Sequence, residues 1–158
     1  MLDLRKAFQL RDPRKLGLFL KVLVSIPVLR LLLAGMKIPR LLESLDRASR
    51  KREPFGPPEL EWARLAWKYV NFLLLTCLKV QRPCLLRSLV LFRLFRKAGL
   101  QAKIHMGVKR NGPLLEGHSW LSLNGDLLLE ENDPQMTYTR TYSYPDEGNQ
   151  FRSTDPNN

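Results

Sequence analysis

The sequence predicts an α+β fold in which a series of helices is followed by an antiparallel sheet. Before Gly99, apolar residues recur at spacings of three and four, which is the period of a helix. After Gly99 they alternate with polar residues, and two Asn-Gly pairs mark tight turns between short strands. Because the two patterns occupy separate parts of the chain, we expect an α+β arrangement with the last helix packed on the sheet.

Four helices are expected before Gly99. The first begins at Asp12-Pro13, where the aspartate can cap the helix and the proline fits its first turn, and it should bend near Pro27. Gly99 ends the fourth. The helices should span 13–35, 39–53, 59–80 and 84–98, with a Pro- and Gly-rich loop at 54–58 and with Arg87, Arg93, Arg96 and Lys97 on the outer side of the fourth helix.

Four strands are expected after Gly99. Alternation from Ala102 to Lys109 predicts the first, and Trp120 with its apolar neighbours predicts the second, which should follow a loop over 111–117. The turn at 124–125 leads into a third strand. The third and fourth strands should span 126–130 and 137–142, and the polar segment 146–158 is expected to be a frayed tail.

The chain of 158 residues has the length of one domain, which we divide into a helical part over 1–80, a core over 81–145 and a flexible tail over 146–158. Its formal net charge of +11 favours an anionic partner, such as nucleic acid, an acidic peptide or a membrane surface. Because no nucleic-acid recognition motif is present, nucleic acid is ranked last and is not an expected partner.

Cysteine usage indicates a reducing compartment. Cys77 and Cys84 are the two cysteines, which is too few for a disulfide framework, and Met1–Lys6 does not read as a cleavable signal peptide. The spacing of the two cysteines is too wide for a redox CxxC motif, and the two histidines add no zinc-ligand pattern. We therefore expect a cytoplasmic protein without a metal site.

The segment from Leu16 to Gly35 is long and apolar enough to cross a bilayer. Lys21 and Arg30 lie inside it, and each charge costs roughly 2.5–3.5 kcal/mol at the centre of a span. Pro27 interrupts it as well. A buried helix or a helix lying on a membrane surface is therefore expected in preference to a span, so that the location includes membrane association.

Cys84 occupies a position that suits a nucleophile. It follows Pro83 and opens a helix, where unpaired backbone N–H groups and the positive end of the helix dipole stabilise a thiolate. Arg82 and Arg87 add positive potential nearby. Cys77 lies late in the preceding helix, where no neighbour would lower its pKa, so Cys84 is the candidate nucleophile.

A thiol nucleophile needs a base, and His118 is the first candidate. We expect it at the start of the second strand, with Gly117 leaving space beside it, so that it can reach the first turn of a helix packed on the sheet. His105 is the alternative base. It alternates with the apolar residues of its strand, so we expect it to be exposed.

The base in turn needs an acceptor that fixes its tautomer. If residues 123 and 126 pair across the Asn-Gly turn, His118 lies opposite Glu131 and one step from Glu130. A register read from sequence can shift by one residue, so Glu130, Glu131 and Asp126 are all candidates for the acid.

Several short motifs occur together between Arg82 and Asp133. They are CLLRSL from Cys84, LFRKAG ending at Gly99, the pair Gly107-Val108, HSWL from His118 and the turn NG at 124–125. In this combination the chain resembles the transglutaminase-like cysteine peptidase of lasso-peptide biosynthesis, the B protein. That family has a CLxRSL-type helix start, a helix ending in RxxG, a GV strand and an HAWVE-type strand with a DG turn. The resemblance covers about a third of the chain.

The resemblance implies a transglutaminase/papain-like core, with the cysteine helix packed on an antiparallel sheet. It implies Cys84 as nucleophile, His118 as base and Glu130 as the acid of a Cys-His-Asp triad. Glu130 departs from the family pattern, because a glutamate stands where aspartate is usual. Ser119 and Ser122 likewise stand for the alanine and the glutamate of HAWVE.

The resemblance also implies the reaction and its partners. A leader would be cut hydrolytically from a ribosomally made precursor, without a cofactor, and the freed amine would pass to a separate, ATP-dependent macrolactam synthetase. Residues 1–80 read as helices without the hairpins of a fused leader-recognition domain, so the chain resembles the split form. A small leader-binding protein is then an implied partner, and the basic surface would dock this protein, the leader or a membrane near an exporter.

Two other functions fit parts of the sequence. A transglutaminase-type acyl transferase uses the same cysteine and histidine but passes the acyl group to an amine. A non-catalytic basic helical adaptor at a membrane surface would use the apolar segment Leu16–Gly35 and need no thiol chemistry.

Overall fold

A computed structural model describes residues 12–50, 60–130 and 132–145. The predicted α+β fold is confirmed, because helices come first and a four-stranded antiparallel sheet follows. The predicted loop at 54–58, the candidate acid Glu131 and the predicted tail at 146–158 lie outside the described residues. The α-helices are α1 (Pro13–Gly35), α2 (Ile38–Arg50), α3 (Leu60–Asn71) and α4 (Cys84–Lys97).

Helix α1 begins where the sequence predicts. The Asp12 side chain accepts a 2.9 Å hydrogen bond from the Arg14 N–H, and Pro13 is the first helical residue. The helix continues through Pro27 to Gly35. Among the described residues it is the one helix long and apolar enough to cross a membrane, and 28% of its most apolar window is buried inside the protein.

The third helix differs from the prediction. The α-helical part ends at Asn71, and Phe72–Cys77 forms a π-helix, in which the Leu78 N–H bonds the Leu73 carbonyl at 2.9 Å. The consecutive residues Leu73 and Leu74 of this segment are both buried. The segment leaves Cys77 exposed, seven residues before the start of α4.

Helix α4 is the centre of the molecule. It packs on the other three helices and on the first two strands, and Leu89, Val90, Phe92 and Phe95 are fully buried on it. The prediction that its arginines face outwards is wrong, because a helix surrounded by other elements has no solvated face. Arg93 Nη1 donates to Ser25 Oγ of α1 at 3.2 Å, and Arg96 forms an ion pair with the buried Asp46 of α2.

The strands form one antiparallel sheet in the order β3-β2-β1-β4. Asn124 and Gly125 have φ angles of 54° and 95°, the left-handed backbone that a two-residue hairpin turn requires. The predicted register is confirmed, because Leu123 pairs with Asp126 and Leu121 with Leu128. The strands are β1 (Ala102–Asn111), β2 (Leu114–Leu123), β3 (Asp126–Leu128) and β4 (Thr139–Tyr144).

Two strand limits near the predicted site differ from expectation. Strand β2 begins at Leu114, because Gly112-Pro113 alone forms the turn, and His118 therefore lies in the middle of a strand. Strand β3 ends at Leu128, after which Leu129 takes a φ of 60° and the chain leaves the ladder. The predicted third strand at 126–130 is thus too long, and Glu130 lies beyond the end of the strand.

Candidate active site

Cys84 is the first residue of α4, as predicted. Pro83 precedes it and no side chain caps this end of the helix. The first helical hydrogen bond here joins the Arg87 N–H to the Pro83 carbonyl at 2.7 Å. The N–H groups at the start of α4 therefore remain available to an anion beside the sulfur.

The surroundings of Cys84 favour its thiolate. Its pKa is lowered first by a hydrogen bond with His118 and also by backbone N–H groups of Leu85 and Ser119, while partial burial acts in the opposite direction. The side chain is half-buried. A thiol with these partners is a stronger nucleophile near neutral pH than an ordinary cysteine.

His118 contacts both Cys84 and Glu130. Its Nε2 lies 3.6 Å from Glu130 Oε2, so Nδ1 is the ring nitrogen available to the Cys84 sulfur. These two partners, Cys84 first and Glu130 second, raise the pKa of His118 to about 9 against the effect of burial. The geometry favours an imidazolium between a thiolate and a carboxylate.

Glu130 is the one of the three candidate acids that the described residues bring to the imidazole. Asp126 is exposed and pairs with Leu123 at the far end of the hairpin. Glu130 is 18% exposed, and its second oxygen, Oε1, accepts a 3.2 Å hydrogen bond from Arg87 Nη2. The carboxylate is therefore held between a histidine and an arginine.

The contact of Arg87 with Glu130 is not predicted from the sequence. The sequence predicts only positive potential from Arg87 and a place on the outer side of α4. It lies three residues after Cys84, which puts both side chains on the same side of the first helical turn. That spacing is the signal from which a contact with the acid could have been inferred.

Two aromatic rings lie against the His118 imidazole. The Tyr138 ring is 5.1 Å away at an interplanar angle of 28°, and the Trp120 ring is 6.0 Å away at 17°. Gly107 makes room for the indole, because a Cβ there would lie 3.0 Å from a ring carbon of Trp120. The rings restrict how the imidazole can tilt. The contact of Tyr138 with His118 is not predicted from the sequence.

Helix α4 and strand β2 are joined directly beside the site. Ser88 Oγ donates to the Ser119 carbonyl at 3.0 Å, and Ser119 Oγ donates to Ser88 Oγ at 3.3 Å. Both serines are buried. Ser119 follows His118 and Ser88 lies one helical turn after Cys84, so these bonds fix the relative positions of the thiol and the imidazole.

His105 is buried, so the prediction of an exposed residue is wrong. It is 7% exposed, and its ring nitrogens bond Ser143 Oγ at 2.8 Å and Ser122 Oγ at 2.7 Å. Alternation in β1 predicts one face exposed to water, whereas Trp120 stacks on His105 at 5.7 Å. With both nitrogens occupied by serines, His105 is not available as a base for Cys84.

We expect His105 to make stability depend on pH. Burial first, then the charges of Arg140 and Lys103, lower its pKa from 6.5 to about 4. Between these values the unfolded chain binds a proton that the folded protein does not, so the free energy of unfolding falls as the pH decreases, by about 3 kcal/mol in total. Urea denaturation at a series of pH values measures this change in the free energy of unfolding.

The control variant is His105→Gln, which can bond both serines and does not titrate. Its unfolding free energy should fall less than that of the wild type between pH 6.5 and 4, the window set by His105. The raised pKa of His118 makes its contribution to stability depend on pH between 6.5 and about 9, which lies outside this window. Parallel curves for the two proteins would contradict the prediction.

A cleft of about 350 Å³ opens beside His118 and Glu130. Arg87 and Tyr138 line it together with Trp67, Leu129 and Thr137, so its wall is partly apolar and partly polar. Such a wall can hold a ligand that carries both apolar and polar groups. Within the described part of the chain, no group of three His, Cys, Asp or Glu side chains is arranged to hold a metal ion.

A protein-family model described as "Transglutaminase-like superfamily" matches residues 22–143, most of the chain. The chain belongs to this superfamily. The matched range runs from α1 to β4 and contains Cys84, His118 and Glu130. Transglutaminase-like proteins commonly include peptidases and transferases with a Cys-His-Asp/Glu site, and membership fits a cysteine peptidase or acyltransferase kind of activity. No curated protein and no solved structure matches this transglutaminase-like chain significantly.

Proposed function

We propose that this chain is a cysteine peptidase that cuts the leader from a ribosomally made lasso-peptide precursor. The observation that carries the proposal is the contact between the Cys84 thiol and the His118 imidazole, whose other nitrogen faces the Glu130 carboxylate. The three residues take the roles of nucleophile, base and orienting acid. The transglutaminase-like family supports the class of chemistry, and the motifs from Cys84 to the turn at 124–125 support the substrate.

In the proposed reaction the Cys84 sulfur attacks the carbonyl carbon of the bond between leader and core. The carbonyl oxygen becomes an oxyanion, which the Cys84 N–H at the uncapped start of α4 is placed to stabilise. His118 gives its proton to the departing amine, and the leader remains as a thioester on Cys84. A water then loses a proton to His118, attacks the thioester and releases the leader as a carboxylate.

The proposed partners follow from the substrate. The precursor peptide would be presented by a small leader-binding protein, and the new core amine would be consumed by a separate macrolactam synthetase that uses ATP. The proposed cleavage needs no cofactor, because the nucleophile (the Cys84 thiol) and the proton-transfer group (the His118 imidazole) both belong to the chain.

The experiment that tests the function is cleavage in water enriched in heavy oxygen. A lasso-peptide precursor and a leader-binding protein are incubated with the full chain, and mass spectrometry follows both products. We expect a leader whose new carboxylate contains heavy oxygen and a core peptide with a free amine. Cys84→Ala is the matched control.

Two outcomes would replace the proposal. If an added primary amine becomes joined to the leader in place of water, the chain is an acyl transferase, since the acceptor distinguishes the two reactions of a common thioester. If the precursor stays intact while Cys84 is readily alkylated, the thiol chemistry stands and the lasso-peptide substrate is wrong.

We expect Glu130→Ala to lower kcat less than His118→Ala does. Glu130 orients and stabilises the imidazolium, whereas His118 carries the proton, so the loss should be smaller by about one to two orders of magnitude. Steady-state cleavage kinetics of both variants measure it. Glu130→Asp tests the usual residue of the family at this position, and a larger loss in Glu130→Ala than in His118→Ala would contradict the assignment of roles.

We expect Arg87 to be a positioning residue for Glu130. Arg87→Met removes the partner of Glu130 Oε1, so the carboxylate should turn away from the imidazole and the reactive thiolate should form only at higher pH. The pH profile of Cys84 alkylation measures this without a substrate. Arg87→Lys keeps the charge and should restore part of the profile, and an unchanged profile in Arg87→Met would contradict the role.

A further inference from the structure

Helix α1 has an apolar side that no described element covers. Its opposite side is in the core, where Leu18, Val22, Ile26 and Leu29 are at most 2% exposed. The outer side is 40% to 75% exposed although every large side chain on it is apolar. We call it the apolar face, and it consists of Leu16, Leu20, Leu23, Val24, Val28 and Leu31.

Basic residues border the apolar face on both sides. Lys21 lies seven residues before Val28 and Arg30 lies seven residues after Leu23, and seven residues are about two helical turns, so each cation continues one edge of the face. Both are exposed. Helix α1 contains no acidic residue, and the whole chain has a formal net charge of +11.

We propose that the apolar face is a docking surface for an anionic lipid membrane, with α1 lying flat in the interface. Leucine and valine side chains would enter the outer acyl region, and Lys21 and Arg30 would extend to the lipid phosphates at the two edges. The charge pattern favours this occupant over a second copy of the chain, because two such faces would bring Lys21 and Arg30 of one copy close to those of the other.

A flat position is compatible with the fold, whereas a membrane span by α1 is not. Spanning would remove Leu18, Val22, Ile26 and Leu29 from the core and break the bond between Arg93 and Ser25. In the flat position these contacts remain. Helix α4 lies between α1 and the sheet, since it contacts both, so His118 on β2 stays on the side away from the membrane.

Vesicle flotation of the full chain tests the surface. We expect the protein to float with phosphatidylcholine vesicles that contain about 30% phosphatidylglycerol and to float less with phosphatidylcholine alone. Leu20→Gln/Val24→Gln/Leu31→Gln should lower binding by at least about tenfold. Arg30→Gln should lower binding to the anionic vesicles only. Circular dichroism verifies that the variants are folded.

The matched control removes three exposed apolar side chains elsewhere. Leu114, Leu115 and Met136 are 68%, 69% and 87% exposed, and their glutamine variants should float like the wild type. Cys84→Ala should float as well, because the surface does not depend on the chemistry of the site. Failure of the wild type to bind anionic vesicles, equal binding by the α1 variant, or loss of binding in the control would each overturn the proposal. The proposal would also be overturned if the wild type were a dimer and the α1 variant a monomer.

Discussion

Replacing Cys84 with alanine is expected to reduce cleavage to the uncatalysed background, a loss of at least about 10⁴-fold in kcat. In the proposed reaction the sulfur forms the covalent bond to the leader, and its contact with His118 lowers the pKa of the thiol. The side chain lies at the surface end of α4, so the alanine variant should remain folded. Cleavage assays with the precursor and mass spectrometry measure the loss.

Cys77→Ala is the control for this prediction. Cys77 is the other thiol of the chain, it is exposed in the π-helical segment, and its removal should leave cleavage unchanged. Equal losses in the two variants, with both still folded, would show that the nucleophile is assigned to the wrong residue.

Replacing His118 is expected to return Cys84 to ordinary thiol behaviour. In a Cys77→Ala background, where Cys84 is the remaining cysteine, iodoacetamide should alkylate the wild-type site at a lower pH than an ordinary thiol, because the hydrogen bond with His118 lowers the pKa of Cys84. In the His118→Ala variant the midpoint should rise towards about 8.5, and the rate at pH ~6 should fall by at least about tenfold. Alkylation followed by mass spectrometry across pH measures both.

His118→Gln provides a second variant for the same test, since glutamine is polar, similar in length and does not titrate. It should behave as His118→Ala does if the imidazolium is the cause. His105→Gln should not move the profile, because His105 bonds the two serines and lies away from the thiol. An unchanged midpoint in both His118 variants would show that the helix end alone activates the sulfur.

Local signals were enough to predict the fold and part of the site. The Asp12-Pro13 start, the Asn124-Gly125 turn and the switch in apolar period at Gly99 each depend on neighbouring residues, so they are readable from sequence. The meeting of Cys84 with His118 was a prediction of the same kind, because a residue at a helix start and a residue on the strand beneath it need a single packing contact.

Features that depend on distant packing could not be predicted. Strand β3 ends at Leu128 because the chain turns at Leu129, and no local pattern announces that turn. The alternation in β1 suggested a solvated His105, whereas Trp120 and the two serines cover it. Likewise, the sequence predicts surface positions for the arginines of α4, whereas Arg87 and Arg96 form ion pairs with carboxylates of other parts of the chain.

The links between α4 and its neighbours give the site an unusual mechanical property. Cys84, Arg87 and Ser88 lie within five consecutive residues, and they contact His118, Glu130 and Ser119 in turn. A small rotation of α4 about its axis would therefore separate the sulfur, the carboxylate and the strand at the same time. We expect substitutions that disturb the packing of this helix to abolish activity. They should not produce a variant that remains active but has lower specificity for the bond it cleaves.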